Sequence, residues 1–136
     1  MKKIFFLTSL VLIFFLSCEP AEDRIVGYYR LDKLYLNDKR VTESEYDALN
    51  IGSYYTFFYE GNFTVATRIN GIPIQSNGIG TWQFVNKNKQ LQIHFVLHNR
   101  TYKYTADVIK FSSRSLKYKY TDKNGKQWTL QLYKSS

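Results

Sequence analysis

A chain of 136 residues with 19 lysines and arginines against 11 acids carries a formal net charge of +8. Its basic residues are scattered (Arg30, Lys33, Arg68, Lys87, Lys103, Lys117, Lys134), so no dense stripe suited to nucleic acid forms. The surplus fits solubility, or attraction to polyanions such as anionic lipid headgroups or acidic glycans. A single cysteine, Cys18, excludes an intrachain disulfide, and the core must hold by burial alone.

Lys2 and Lys3 precede an almost wholly apolar run from Ile4 to Leu16, closed by Ser17 and Cys18. This is the order of a secretory signal: charged start, short apolar middle, small residues at the cut. The run falls short of the roughly 20 apolar residues that span a bilayer. Phe15-Leu16-Ser17-Cys18 resembles a bacterial lipobox, where a signal peptidase cuts before a lipid-modified cysteine. The resemblance implies that residues 1–17 are a lipoprotein signal peptide and that residues 18–24 are a lipidated cysteine with its tether. The alternative is an ordinary cleaved signal with an incidental cysteine. Cleavage would leave 119 of the 136 residues and lower the charge from +8 to +6, because residues 1–17 carry two lysines and no acid. One acyl chain anchors only marginally at ~0.8 kcal/mol per buried CH₂, so stable attachment needs at least two. A lipoprotein cysteine usually carries a diacylglycerol, with palmitate-type chains. The membrane is then a partner through Cys18, and the expected location is the cell envelope, at the outer membrane on its periplasmic or surface face. Glu19, Glu22 and Asp23 in the tether resemble a surface-export signal, or are simply a polar spacer.

From Ile25 onward Tyr, Phe, Thr, Val and Ile dominate, and turn residues recur every 8–12 positions or so, a β pattern. A first strand is predicted from Ile25 to Leu36, closed by Asn37-Asp38. Thr42-Glu43-Ser44-Glu45 has capping-box spacing and predicts a two-turn helix reaching Leu49, with Tyr46 and Leu49 on one face, ended by Asn50 and Gly52. Further strands are predicted over Ser53–Tyr59, Phe63–Ile69, Gly78–Val85, Gln90–Leu97, Arg100–Lys110, Ser115–Tyr120 and Gln127–Lys134. Breaks fall at Glu60-Gly61-Asn62, at Asn70-Gly71 with Pro73, at Asn86 to Lys89, at His98-Asn99 and at Ser112-Ser113. Asp122-Lys123-Asn124-Gly125 is a strong hairpin signal, with Gly125 free to take positive φ.

Alternation is clearest late in the chain. Leu91, Ile93, Phe95 and Leu97 share a face against Gln92, His94 and His98; Leu116, Tyr118 and Tyr120 oppose Lys117, Lys119 and Thr121; Trp128, Leu130 and Leu132 oppose Gln127, Thr129 and Gln131. One wet face per strand means antiparallel pairing. Eight such strands in sequence order close most simply into an up-and-down barrel, which removes exposed edges. The expected fold is therefore all-β: an eight-stranded antiparallel up-and-down barrel over residues 25–136, with one short helix between the first two strands. A transmembrane barrel would turn its apolar face outward, which short strands rich in lysine on one face do not support.

Three features together resemble the lipocalin and fatty-acid-binding (calycin) barrels, most closely the lipocalin-like bacterial lipoproteins: Gly27-Tyr28-Tyr29 in the first strand, the Thr42–Leu49 segment in the lid position, and Gly80-Thr81-Trp82 followed by hairpins to Trp128-Thr129-Leu130-Gln131-Leu132. The resemblance covers about Ile25 to Tyr133. It departs in having Tyr29 where the family often has Trp, in lacking room after the last strand for the family's helix, and in lacking a disulfide. It implies a binding module rather than an enzyme, for a small apolar or amphipathic ligand.

An eight-stranded barrel is just wide enough to be filled by side chains or to hold one small ligand. The inward candidates are Tyr29, Leu31, Tyr55, Phe57, Phe63, Val65, Trp82, Phe84, Ile93, Phe95, Tyr102, Tyr104, Tyr118, Trp128 and Leu130. Of these, Tyr29, Tyr55, Phe57, Trp82, Phe95, Tyr104, Tyr118 and Trp128 are the ligand-site candidates, since large rings with polar tips line such pockets. The same rings also suit a solid core, in which case the barrel would act as an accessory or inhibitor protein through its loops and basic surface; its protein partner is not specified by the sequence. His94 and His98 would stand about 13 Å apart on a strand at ~3.3 Å per residue, too far to share a metal. No catalytic residues, no metal and no cofactor are expected, because no activated nucleophile, oriented base or phosphate loop stands out. Arg30, Arg68 and Arg100 are the candidates to meet an anion.

Overall fold

A computed structural model describes residues 19–45, 52–69, 72–73 and 78–135. Eight strands follow one another around a closed barrel: β1 (Gly27–Leu36), β3 (Tyr54–Phe57), β4 (Asn62–Ala66), β7 (Gly78–Val85), β8 (Gln90–Leu97), β9 (Arg100–Phe111), β10 (Ser115–Thr121) and β11 (Gln127–Lys134). Each pairs antiparallel with the next, and β1 closes the ring on β11, from Tyr29 opposite Lys134 to Leu36 opposite Trp128. The expected up-and-down barrel is what forms.

Three short strands were not expected. Asn37 and Asp38 both take positive φ, 49° and 66°, the geometry that suits a tight two-residue hairpin. They turn the chain back so that β2 (Lys39–Val41) pairs with the far half of β1, Leu34 opposite Val41. β5 (Arg68–Ile69) and β6 (Ile72–Pro73) form a separate two-stranded hairpin, so the strand expected to run unbroken to Ile69 ends at Ala66. The expected helix after Thr42 begins as a 3₁₀ turn, Glu43–Glu45, and its residues 46–49 lie outside the described residues. The Thr42 hydroxyl donates to the Glu45 carboxylate at 3.0 Å, so the two side chains of the capping-box pattern meet each other.

The tether also differs from a plain spacer. Ala21–Arg24 makes one helical turn, α1, and Ile25 behind it is completely buried. The first strand therefore starts at Gly27 rather than Ile25. Lys134 Nζ donates to the Arg24 carbonyl at 2.8 Å, and the Arg24 guanidinium lies 4.8 Å from the centre of the Phe111 ring. These contacts seat α1 across one mouth of the barrel. The turns β3–β4, β7–β8 and β9–β10 and the end of β11 lie at that same mouth, because Gly27 pairs with Phe57, Val85 with Gln90, Leu116 with Phe111 and Tyr29 with Lys134. The opposite mouth carries the β8–β9 and β10–β11 turns and the β1–β2 hairpin.

Inward positions alternate as the pleat requires. A bulge between Leu31 and Lys33 in β1 resets the phase, so that Leu31 and Leu34 both face the core although three residues apart. Gly80 stands between Phe63 on β4 and Phe95 on β8. A Cβ there would lie 1.9 Å from the His94 carbonyl oxygen and 2.6 Å from the Phe95 Cα, so only glycine lets the strands approach this closely. Its missing side chain lets the Phe63 and Phe95 rings meet, 5.6 Å between centres. One expected outward residue is buried: Thr129 is covered on the outer face, flanked in register by Tyr35 and Lys119, with Lys117 over the Tyr35 ring.

Candidate functional site

All eight ligand-site candidates are buried, and most touch one another. Tyr29 meets Phe57 edge-on at 5.5 Å, Phe57 meets Phe63 at 5.0 Å and Trp82 at 5.9 Å, and Tyr55 meets Phe63 at 6.1 Å. Phe63 passes the contact to Phe95, and Phe95 reaches Tyr104 edge-on at 6.4 Å. Tyr104 then stacks on Tyr120 at 3.6 Å and lies near Tyr118 at 6.3 Å. The result is one continuous file of rings from the mouth holding α1 to the opposite mouth. Ring pairs of this kind add about 0.5–1.5 kcal/mol each beyond their burial.

The polar tips of these rings are engaged with the protein. The Tyr29 hydroxyl donates to the Ile25 carbonyl at 2.8 Å, and the Trp82 indole N–H donates to the Phe58 carbonyl at 2.9 Å. The Tyr104 and Tyr118 hydroxyls lie 3.4 Å apart. Trp128 stands apart from the file, its indole N–H donating to Asp122 Oδ2 at 2.9 Å. Burial pushes the Tyr29 phenol up to about 12 and also raises Tyr104, Tyr118 and Tyr120 well above the ordinary value, with neighbouring phenols adding to the effect at Tyr104 and Tyr120. The interior therefore presents neutral phenols and hydrocarbon.

Asp122 does more than turn the chain. Its Oδ1 accepts from the backbone N–H of Asn124 at 2.8 Å and of Lys126 at 2.9 Å, while Oδ2 holds Trp128. Partial burial opposes ionisation, but these three donors and the nearby Lys126 charge outweigh it and hold the carboxyl below its ordinary value. Gly125, at φ +81°, completes the turn.

A pocket of about 320 Å³ opens on the outer wall, where β1 leaves β3 and meets β2. Arg30, Asp32, Arg40, Glu43, Ser53 and Tyr54 contribute to it, so its charges are mixed. Arg30 thus lies outside the barrel in this notch, and Arg100 is exposed beside the β8–β9 turn; the Arg68 side chain lies outside the described residues. His94 is exposed on the outer face and His98 occupies the β8–β9 turn at φ 51°. Among the described residues no group of three or more His, Cys, Asp or Glu side chains is arranged to hold a metal. Cys18 lies outside the described residues. Sequence reasoning missed Tyr120 as a member of the ring file; it shares a face with Tyr118, which was the available signal.

No family model matches the chain, and no curated protein does. Among solved structures it is similar to a redesigned β-barrel, at 15% identity and a TM-score of 0.58, over 85% of this chain and 96% of that one. That likeness shows the barrel fold alone.

Proposed function

We propose that this chain is a lipid-anchored envelope protein of lipocalin-like build whose barrel is a filled, non-enzymatic scaffold, acting as an accessory or inhibitor protein through its outer surface. The observation that carries the scaffold reading is the unbroken file of rings from Tyr29 to Tyr120, with the Tyr29 and Trp82 polar tips already bonded to backbone carbonyls. Such a file occupies the space a ligand would need, since the interior of an eight-stranded barrel admits side chains or one small molecule. The anchor rests on the signal-like residues 1–17 and the lipobox-like Phe15–Cys18.

A second reading, a barrel that carries a small amphipathic molecule, is favoured by the gathering of Tyr104, Tyr118 and Tyr120 near the mouth away from α1, where phenol tips would suit a ligand's polar end. Native mass spectrometry of protein purified from its own envelope separates the two. The scaffold reading expects only the acylated protein mass and no displacement of a fluorescent fatty acid. A retained small molecule, lost in a Tyr104→Ala variant that still folds, overturns it. In the same spectra the chain should begin at an acylated Cys18, and Cys18→Ala should release the protein from membranes.

A further inference from the structure

We infer that the mouth of the barrel closed by α1 is a docking face for an anionic lipid bilayer, so that the molecule stands on the membrane rather than swinging from its tether. The inference rests on the anchored reading above and adds the orientation and the lipid chemistry. Only Glu19 and Pro20 separate Cys18 from Ala21, three residue steps with a reach of about 11 Å even fully extended. From Ala21 the chain is helical and seated on the barrel through Arg24 and Lys134. A lipid on Cys18 therefore draws this mouth, and not the opposite one, to the surface.

The mouth is built for such a surface. The β3–β4 turn presents Phe58, 45% exposed, and Tyr59, 61% exposed. It is held in place by the Trp82 indole bonded to the Phe58 carbonyl and by the Phe58 N–H donating to the Asn62 carbonyl. On β9 a register shift opposite Lys117 and Tyr118 leaves Ile109 unpaired and 52% exposed near the same rim. Tyr28 and Tyr133 are also exposed within two residues of the strand ends there. The remaining exposed large apolar residues among those described, Ile79 and Val96, pair with each other one residue from the strand ends at the other mouth.

Around these rings stand exposed cations: Lys87 and Lys89 in the β7–β8 turn, Lys110 at the end of β9 and Arg114 in the β9–β10 turn. The acids at this end are Glu19 before α1, Glu22 and Asp23 on it, Glu60 in the β3–β4 turn and Asp107, which pairs with Gln90 at the start of β8 and is bonded by its side chain, so the cations hold the sector of the rim formed by the β7–β8 and β9–β10 turns. The opposite mouth mixes Lys39, Arg40, Arg100, Lys123 and Lys126 with Asp38, Glu43, Glu45 and Asp122, and among its described residues the exposed large apolar side chains are the aliphatic pair Ile79 and Val96, with no exposed ring. Aromatic rings at headgroup depth with lysine and arginine on lipid phosphates is the pairing an anionic interface favours.

The test uses the lipidated mature protein. Its Cys18 thiol is blocked by lipid, so Tyr59→Cys supplies the sole labelling site, and Asn99→Cys in the β8–β9 turn supplies the control at the opposite mouth. Each is labelled with an environment-sensitive nitrobenzoxadiazole dye and bound to phosphatidylcholine vesicles with and without phosphatidylglycerol. We expect the label at position 59 to brighten several-fold and shift to the blue with phosphatidylglycerol, to lose that response in a Lys87→Glu/Lys89→Glu background or at high salt, and the label at position 99 to stay aqueous throughout. Both labels remaining aqueous while the protein co-floats with the vesicles overturns the docking face and leaves the anchor standing, as does a response at position 99 alone. A chain that does not co-float overturns both, and an unacylated Cys18 in its mass spectrum identifies the anchor as the part that failed.

Discussion

The two halves of the barrel are built differently. From β7 to β11 the strands run seven to twelve residues, joined by short turns, with registers that continue from end to end apart from one shift between β9 and β10. β3 and β4 have four and five residues, and β1 must divide its free edge between β3 and β2. The long half carries enough consecutive rungs to declare its own pairing. The short half is completed by rings that cross to it from the long one, and by β1 locking onto β11. In this molecule the aromatic file, more than strand length, joins the two halves.

Gly80 is where the halves meet, so the largest effect is expected there. Gly80→Ala drives a Cβ into the His94 carbonyl and Phe95 backbone, and a loss above about 3 kcal/mol is expected, in the exceptional class for a single substitution. Urea unfolding followed by tryptophan fluorescence measures it. An unchanged midpoint would mean that β7 and β8 pair without needing this close approach.

Next comes the turn that closes the long half. Asp122→Ala removes three hydrogen bonds to a charged acceptor and should cost about 1–3 kcal/mol at neutral pH, much of it from the unpartnered Trp128 indole. Because the folded carboxyl sits below its ordinary value of 3.8, the native protein binds its proton less readily than the unfolded chain. The contribution is thus present above that value and fades as the pH falls through it toward the lower folded value. Denaturation at pH 6 and about pH 3 should show the gap between wild type and Asp122→Asn narrowing.

The phenol cluster of β9 and β10 gives a smaller effect. Tyr118→Phe should cost about 0.5–1.5 kcal/mol, the net worth of one hydrogen bond, by removing the partner of the Tyr104 hydroxyl. The raised phenols make the opposite pH statement: their stabilisation is complete below the ordinary value of 10.0 and is lost as pH rises from there through the folded values. Alkaline titration should therefore show absorbance at the phenolate band rising together with loss of tertiary signal. The smallest effect belongs to the exposed Lys119–Asp38 pair at 3.3 Å, which ties the β1–β2 turn to β10. Lys119→Ala should change stability by no more than about 0.5 kcal/mol, and less at high salt.

How far each part was legible follows from these differences. Leu91, Ile93, Phe95 and Leu97 could be read as a core face because alternation over eight residues has one interpretation, and the structure buries all four. Asn37-Asp38 could be read as a turn, but not as a hairpin into β2, because three residues of Lys-Arg-Val carry too little pattern to announce a strand. The Thr42–Glu45 spacing pointed to a helix, yet the described part is a 3₁₀ turn whose side chains bond each other. The polar tether hid α1, since four residues cannot form a helical turn stably without the barrel mouth to sit on. Of the site candidates, the rings were legible as inward-facing; whether they would surround a space or fill it was not.

By itself the sequence determined which side chains turn away from water, and with them the number, order and direction of the long strands, because a period of two in apolar character allows only one face to be buried. Tertiary structure alone decided the bulge that lets Leu31 and Leu34 share the core, the approach of β7 to β8 at Gly80, and the meeting of Tyr29, Phe63, Phe95 and Tyr120 in one file. Those outcomes depend on distances between strands far apart in the chain. Such distances are set only when the ring closes and each side chain takes the space its neighbours leave.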